Sequence, residues 1–296
     1  MTTPQNRHRQ VRTLLGAMFL SLTAACVDEP AGDTRVPPRP GSPVVDTITF
    51  SSGDLSLKGV IWRPPGDGPH PAVLFNHGSG QDYTDQIAAL GPVFVARGYI
   101  MFWPYRRGHG LSADQGKWVG EQLDAAEAEG GVELWSSVMT ELLRGPHLAD
   151  QTAALDWLMA QPEVDSTRVY VAGNSFGGIQ TVLIAAQTDR VRAAVDFAGA
   201  ALTWARSPDL RAEMTEAAAG ARVPLMFVQA ENDADTSPSR ELAAAMEEAG
   251  KLYRIHIFPR FGETEQDGHS FGYFGAEIWG DTVFSFFEEY APKRSN

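Results

Sequence analysis

The chain has 296 residues, 43% of them hydrophobic, with 37 acidic against 24 basic side chains and a formal net charge of −13 at pH 7. This length and apolar content suit one large α/β domain, or two small ones, with a sizeable core. The acidic balance repels polyanions, so nucleic acid is excluded as a partner and a membrane is approachable only through an anchor.

Residues 7–12 carry Arg7, Arg9 and Arg12, and residues 13–25 are apolar and small. The apolar run is too short to span a bilayer and has the layout of a secretory signal peptide, 1–25. The only cysteine, Cys26, follows Leu22-Thr23-Ala24-Ala25. This resembles a bacterial lipoprotein processing site, with Leu22 one place early, and makes Cys26 the candidate for lipidation. The chain is expected to be exported, as an envelope lipoprotein or a periplasmic or secreted protein. One cysteine also precludes an intrachain disulfide. Residues 26–43 hold Pro30, Pro37, Pro38, Pro40 and Pro43 with few large apolar side chains, which reads as a semi-extended tether. The catalytic domain is expected over 44–296.

Residues 45–50 and 55–63 alternate and predict a hairpin turning at Ser51-Ser52-Gly53-Asp54. Apolar runs of strand length follow at Ala72–Asn76, Tyr99–Trp103, Arg168–Ala172, Ala193–Phe197, Leu225–Gln229 and Tyr253–Phe258. Amphipathic stretches alternate with them at Asp85–Arg97, Ala149–Ala160, Ile179–Gln187, Pro238–Ala249 and Asp281–Tyr290. Apolar strands alternating with helices predict a mostly parallel sheet of about eight strands, covered on both faces, with the antiparallel hairpin at one edge. Two stretches break the alternation, about 111–147 and 200–222. Both leave from the carboxyl ends of strands, where sites form in such sheets, so they are expected to cap a pocket. Trp118, Trp135 and Trp204 are candidate walls.

Val169–Ala172, then Gly173-Asn174-Ser175-Phe176-Gly177-Gly178, reads as strand, sharp turn and helix. In a G-x-S-x-G turn the flanking glycines relieve crowding, the hydroxyl is thrust above the strand end, and the helix N-terminus favours developing negative charge. Gly268-His269-Ser270-Phe271-Gly272 matches the same pattern but follows a polar loop. Ser175 is therefore the candidate nucleophile.

A serine nucleophile needs a base, an orienter for that base and donors for the oxyanion. Proteins with this elbow order them Ser, acid, His along the chain. Asp233, four residues past the strand ending at Gln229, is the candidate acid, with Asp235 and Glu231 as alternatives. His269, in a loop beside Gly268, is the candidate base; His256 lies within a strand and reads as structural. Glu263, Glu265, Asp267 and His269 do not have the spacing of a metal site. The oxyanion donors are expected from the Phe176 N–H and from the loop Asn76-His77-Gly78-Ser79-Gly80, with Ser79 favoured over Gly78. His77 reads as a loop-fixing residue that could also face substrate. Arg107, in Arg106-Arg107-Gly108-His109-Gly110, is a candidate for a substrate carboxylate.

Asn76-His77-Gly78, Tyr105-Arg106-Arg107-Gly108-His109-Gly110, Gly173 to Gly178, Glu231-Asn232-Asp233 and Gly268-His269-Ser270-Phe271 resemble the α/β-hydrolase superfamily. They are similar to its dienelactone hydrolase-like branch, near the peptidase domain of the prolyl oligopeptidase group. The resemblance covers about 45–291. It implies the α/β-hydrolase fold and a Ser175-His269-Asp233 triad acting by acyl transfer, with no metal or organic cofactor. Dienelactone enzymes proper use a Cys nucleophile where this chain has Ser175, and the peptidases carry a propeller gate for which this chain has no room. A small-molecule ester is the expected substrate. Peptidase activity, acyl transfer to an acceptor other than water, or a binding protein without chemistry are the alternatives. Activity should fall at acid pH as the base takes up a proton.

Overall fold

The computed structural model describes residues 42–292. The expected signal segment, Cys26 and all but the end of the tether lie outside the described residues. Among the described residues, no helix is long and apolar enough to cross a membrane.

The domain opens with the expected hairpin, β1 (Val44–Ser52) and β2 (Leu55–Arg63), paired with Ser52 opposite Leu55. Gly53 turns it at φ +56, a conformation that only glycine adopts cheaply. Strand–helix alternation then runs β3 (His70–Asn76), α1 (Thr84–Ala96), β4 (Ile100–Pro104), α2 (Val119–Arg144), α3 (Pro146–Met159), β5 (Val164–Asn174), α4 (Phe176–Gln187), β6 (Ala194–Phe197), α5 (Pro208–Ala219), β7 (Leu225–Ala230), α6 (Ser237–Glu248) and β8 (Tyr253–Phe258). Two short helical turns, α7 (Glu265–His269) and α8 (Phe271–Phe274), lead into α9 (Ala276–Glu289).

The eight strands form one sheet in the order β1-β2-β4-β3-β5-β6-β7-β8. β2 pairs antiparallel with β1 and β4, and every other pair is parallel. Central strands are buried on both faces, so alternate residues feed two cores. Leu74, Phe102, Val171 and Phe227 pack toward α2 to α6. Phe75, Trp103, Tyr170 and Val195 pack toward α1, α8 and α9. From β3 the chain crosses to β4 on one side and then to β5 on the other. The crevice between the carboxyl ends of β3 and β5 is thus the switch point where such sheets take ligands.

Several expectations are corrected. The stretch 200–222 is not only an insertion, because it contains α5, the crossover between the parallel neighbours β6 and β7, packed on α4 and α6. His269 ends a helical turn instead of sitting in an open loop; Thr264 and Asp267 form a capping box there that the polar composition concealed. In α2 the helix is broken at Gly130 and Gly131, where Gly131 has φ 68, so its two arms point differently.

Candidate active site

Ser175 stands between β5 and α4 with φ 59 and ψ −121. This is a left-handed conformation that a residue with a side chain holds only under constraint. Its neighbours show the constraint. A Cβ at Gly177 would collide with the Asn76 carbonyl, and one at Gly173 with the Gly177 carbonyl. The turn therefore presses against β3, and glycine is needed for that approach. Ser175 stays half-buried at the head of α4.

His269 Nε2 lies 2.9 Å from Ser175 Oγ, and His269 Nδ1 lies 2.8 Å from Asp233 Oδ1. The tautomer consistent with these contacts carries its proton on Nδ1 and presents Nε2 as acceptor to the serine hydroxyl. The His269 and Asp233 side chains are 7% and 0% exposed, so water competes little for their bond. Asp233 is held on both oxygens: the Ala234 N–H donates to Oδ1 at 2.7 Å and Gln229 Nε2 donates to Oδ2 at 2.7 Å. Gln229 is itself fixed by the Ser239 hydroxyl, which donates to its Oε1 at 2.6 Å. Of the alternatives, Asp235 accepts the Ser237 N–H at 2.8 Å and faces α6, while Glu231 is exposed. Asn232 ties the two loops together. Its Nδ2 donates to the Phe261 and Thr264 carbonyls, and its Oδ1 accepts the Phe261 N–H. Gly268 completes the fit, because a Cβ there would meet the Asn232 carbonyl at 2.6 Å.

Across the crevice, the loop after β3 has its peptides oriented one by one. Arg106 Nη1 donates to the His77 carbonyl at 2.7 Å, and Nη2 donates to the Gly78 carbonyl. Trp118 Nε1 donates to the Ser79 carbonyl at 2.7 Å. Two of the N–H groups are also committed, Gly78 to the Tyr273 hydroxyl at 2.9 Å and Gly80 to the Tyr83 hydroxyl at 2.6 Å. Among the hydrogen bonds of the described residues, the Ser79 and Phe176 N–H groups have no partner. Gly78 is thereby corrected as an oxyanion donor. His77 is corrected as a pocket residue: it is fully buried, donates from Nδ1 to the Gly78 carbonyl at 2.8 Å, and accepts the Arg106 N–H at 3.3 Å on Nε2. Burial, with Arg106 next, holds the His77 imidazole well below its usual range, so it stays neutral.

Arg106 itself was not singled out from sequence. It is fully buried, also donates to Gln180 Oε1 at 2.7 Å, and lies 4.8 Å over the ring of Phe176. Burial lowers it to about 10, which leaves it charged at neutral pH. One guanidinium thus braces both sides of the crevice: two carbonyls of the β3 loop, and the side chain of the residue after Ser175.

A model described as the Dienelactone hydrolase family matches residues 57–290. The chain belongs to the dienelactone hydrolase family. It has the α/β-hydrolase fold. YtaP of Bacillus subtilis (strain 168) is 28% identical over 133 residues, a stretch covering 44% of either chain, so less than half of that curated relative is matched. A crystal structure assigned to the dienelactone hydrolases, from Klebsiella pneumoniae subsp. pneumoniae MGH 78578, has TM-score 0.64 at 19% identity, covering 84% of this chain and 100% of that one. The acylaminoacyl peptidase of Pyrococcus horikoshii has TM-score 0.60 at 18% identity, covering 86% of this chain and 43% of that one. At such identities these structures share the fold.

In this family member a cavity of about 110 Å³ opens beside Ser175. Leu123, Trp135 and Met139 line it from the two arms of α2, and Ala200, Leu202 and Thr203 from the loop after β6. Phe176 and Ile179 of α4 line it with Ser79 and Ser175. Parts of both expected caps therefore meet at the site. Of the candidate tryptophans only Trp135 is a wall. Trp204 is corrected, being buried in the core at 2% exposure, and Trp118 holds Ser79 without lining the cavity. Arg107 is corrected as a carboxylate receptor. Its N–H and Nε donate to Asp150 Oδ2 and its Nη2 to Oδ1 at 2.7 Å, so the loop already supplies the carboxylate.

Proposed function

We propose that the protein is a serine hydrolase that cleaves carboxylic esters through an acyl-enzyme. One observation carries the reading: the unbroken run from Ser175 Oγ through His269 to Asp233, at 2.9 and 2.8 Å, beside two uncommitted N–H groups. In this reading His269 Nε2 takes the proton of Ser175 as Oγ attacks the ester carbonyl. Asp233 holds the imidazole and stabilises its positive charge. The carbonyl oxygen, as its charge develops, is received by the N–H groups of Ser79 and Phe176, which are aimed before the reaction begins. The alcohol leaves with the proton from His269. Water, activated by the same imidazole, then releases the acid. No step calls for a cofactor.

Support for an ester over a peptide comes from the cavity lining. Beyond Ser79 and Ser175 it offers one hydroxyl, that of Thr203, and no side-chain amide or charge to engage a peptide backbone. The sequence further supports an exported protein held at a bacterial envelope through a lipid on Cys26. Mass spectrometry of the envelope fraction tests this, and a mature form beginning elsewhere than Cys26 would refute it.

A fluorophosphonate probe tests the chemistry. Covalent labelling should fall on Ser175, with p-nitrophenyl acetate turned over by the same preparation. Folded protein that neither labels nor turns over ester would be a binding protein. Preferential cleavage of aminoacyl amides would make it a peptidase.

A further inference from the structure

We propose that the cavity beside Ser175 is an acyl pocket of fixed size, selecting esters of short, uncharged acyl groups of about two to four carbons. This rests on the ester-hydrolase reading and adds which half of the substrate the cavity holds, and how long that half is.

An ester attacked by Ser175 extends in two directions from its carbonyl carbon. The leaving oxygen must receive a proton from His269, so the alcohol arm lies on the His269 side. The cavity takes none of its lining from the Asp233 loop or from α7. Its walls come from α2, α4, Ser79 and the 200–203 loop, on the side of the two uncommitted N–H groups. The arm that enters it is the acyl chain.

Length follows from volume. At roughly 30 Å³ for one water-sized group, a cavity of about 110 Å³ takes roughly four such groups, the carbonyl end of the acyl chain included. Charge follows from the lining. Leu123, Trp135, Met139, Ile179 and Leu202 are apolar, and no acidic or basic side chain is among the lining residues. A carboxylate or ammonium would lose its water there without gaining a partner.

The walls are also fastened to one another, so the cavity does not swell freely. Arg206, just after the 200–203 loop, lies 4.1 Å over the ring of Trp135 and pairs with Glu127 of α2 at 2.7 Å. Ser136 of α2 and Ser207 share a buried hydrogen bond of 2.7 Å. Both sources of the roof are thus joined on either side of Trp135.

The experiment is a kcat/KM series on p-nitrophenyl acetate, butyrate, hexanoate and octanoate, with a p-nitrophenyl monosuccinate beside the butyrate. The expected maximum lies at acetate or butyrate. Octanoate and monosuccinate should each fall at least about tenfold below butyrate, the discrimination that a few misplaced methylenes or one unpaired charge brings. Met139→Ala should raise the octanoate-to-butyrate ratio at least about fivefold. Hexanoate or octanoate at or above butyrate in the native protein overturns the proposal, with or without a folded variant; so does a folded Met139→Ala protein with an unchanged ratio. If no ester turns over but Ser175 labels, rates with propyl and octyl fluorophosphonates decide, and faster octyl labelling overturns it. Absence of any labelling in folded protein overturns the ester-hydrolase reading itself.

Discussion

The molecule carries one pentapeptide pattern twice, and its two copies meet. Gly173-Asn174-Ser175-Phe176-Gly177 bends at Ser175 with φ 59, between a central strand and its helix. Gly268-His269-Ser270-Phe271-Gly272 passes through Ser270 at φ −87, between two short helical turns. In the first copy the glycines let a turn press on β3; in the second, Gly268 lets a turn lie against Asn232 and Asp233. The first presents its serine and the second its histidine. They touch directly, since Asn174 Nδ2 donates to the His269 carbonyl at 3.2 Å and a Cβ on Gly272 would strike Asn174 Oδ1. In the proposed mechanism the same letters serve opposite ends of one proton transfer. The backbone around them, set by what precedes each copy, decides which side chain is offered.

This contrast can be broken at its strongest point first. Ser175→Ala should reduce p-nitrophenyl acetate turnover by roughly 10⁴-fold or more with the circular dichroism spectrum unchanged. Undiminished turnover would remove the first copy from the chemistry.

Arg106→Lys comes next. An ammonium cannot reproduce the fork that holds the His77 and Gly78 carbonyls and Gln180. Loosening the Ser79 peptide should lower kcat by about 10- to 100-fold, somewhat less than outright loss of one oxyanion donor, while KM moves by less than about threefold. A rise in KM alone would mean that Arg106 supports binding instead of the donor geometry.

Gly268→Ala tests the second copy. Its added carbon meets the Asn232 carbonyl and should shift the imidazole relative to Asp233 and Ser175, at a cost of about 10- to 100-fold in kcat. Wild-type kcat in this variant would show that the close approach does not set the base.

Asp196 sharpens the view from beneath the first copy. It is fully buried, accepts the Gly199 N–H at 2.8 Å on Oδ1, and would be struck by a Cβ at Gly178. Burial raises its carboxyl to about 7, above the range of an unfolded aspartate. Between those two values the folded state holds the proton and the unfolded state does not, so stability from this group falls as pH rises toward about 7. Asp196→Asn keeps the acceptor and removes the charge. Its melting temperature should gain on the native protein steadily from about pH 4 to pH 7; a gap that does not change with pH would refute the assignment.

The smallest effect is expected at Ser270. Ser270→Ala should change turnover by less than about twofold, because the second copy contributes its histidine and its glycines.

Much of this protein follows from local pattern. Alternating residues specify β1 and β2, near-continuous apolar runs specify the central strands, and a glycine-flanked serine after β5 specifies the elbow. Each depends on neighbours within a few residues, where periodicity and steric rules act directly. Asp233 and His269 were legible because chain order and strand ends narrow the choice. The fold alone decided what long-range contacts control. Whether Ser79 or Gly78 offers its N–H turns on the Tyr273 hydroxyl, 195 residues away along the chain. Whether Arg106 or Arg107 serves the crevice turns on Asp150 capturing one of them. Trp135 and not Trp204 faces the cavity because of how the broken helix α2 packs. Peptide orientation, ion-pair choice and side-chain facing have no period in the sequence, since each is set by a partner that only folding brings near.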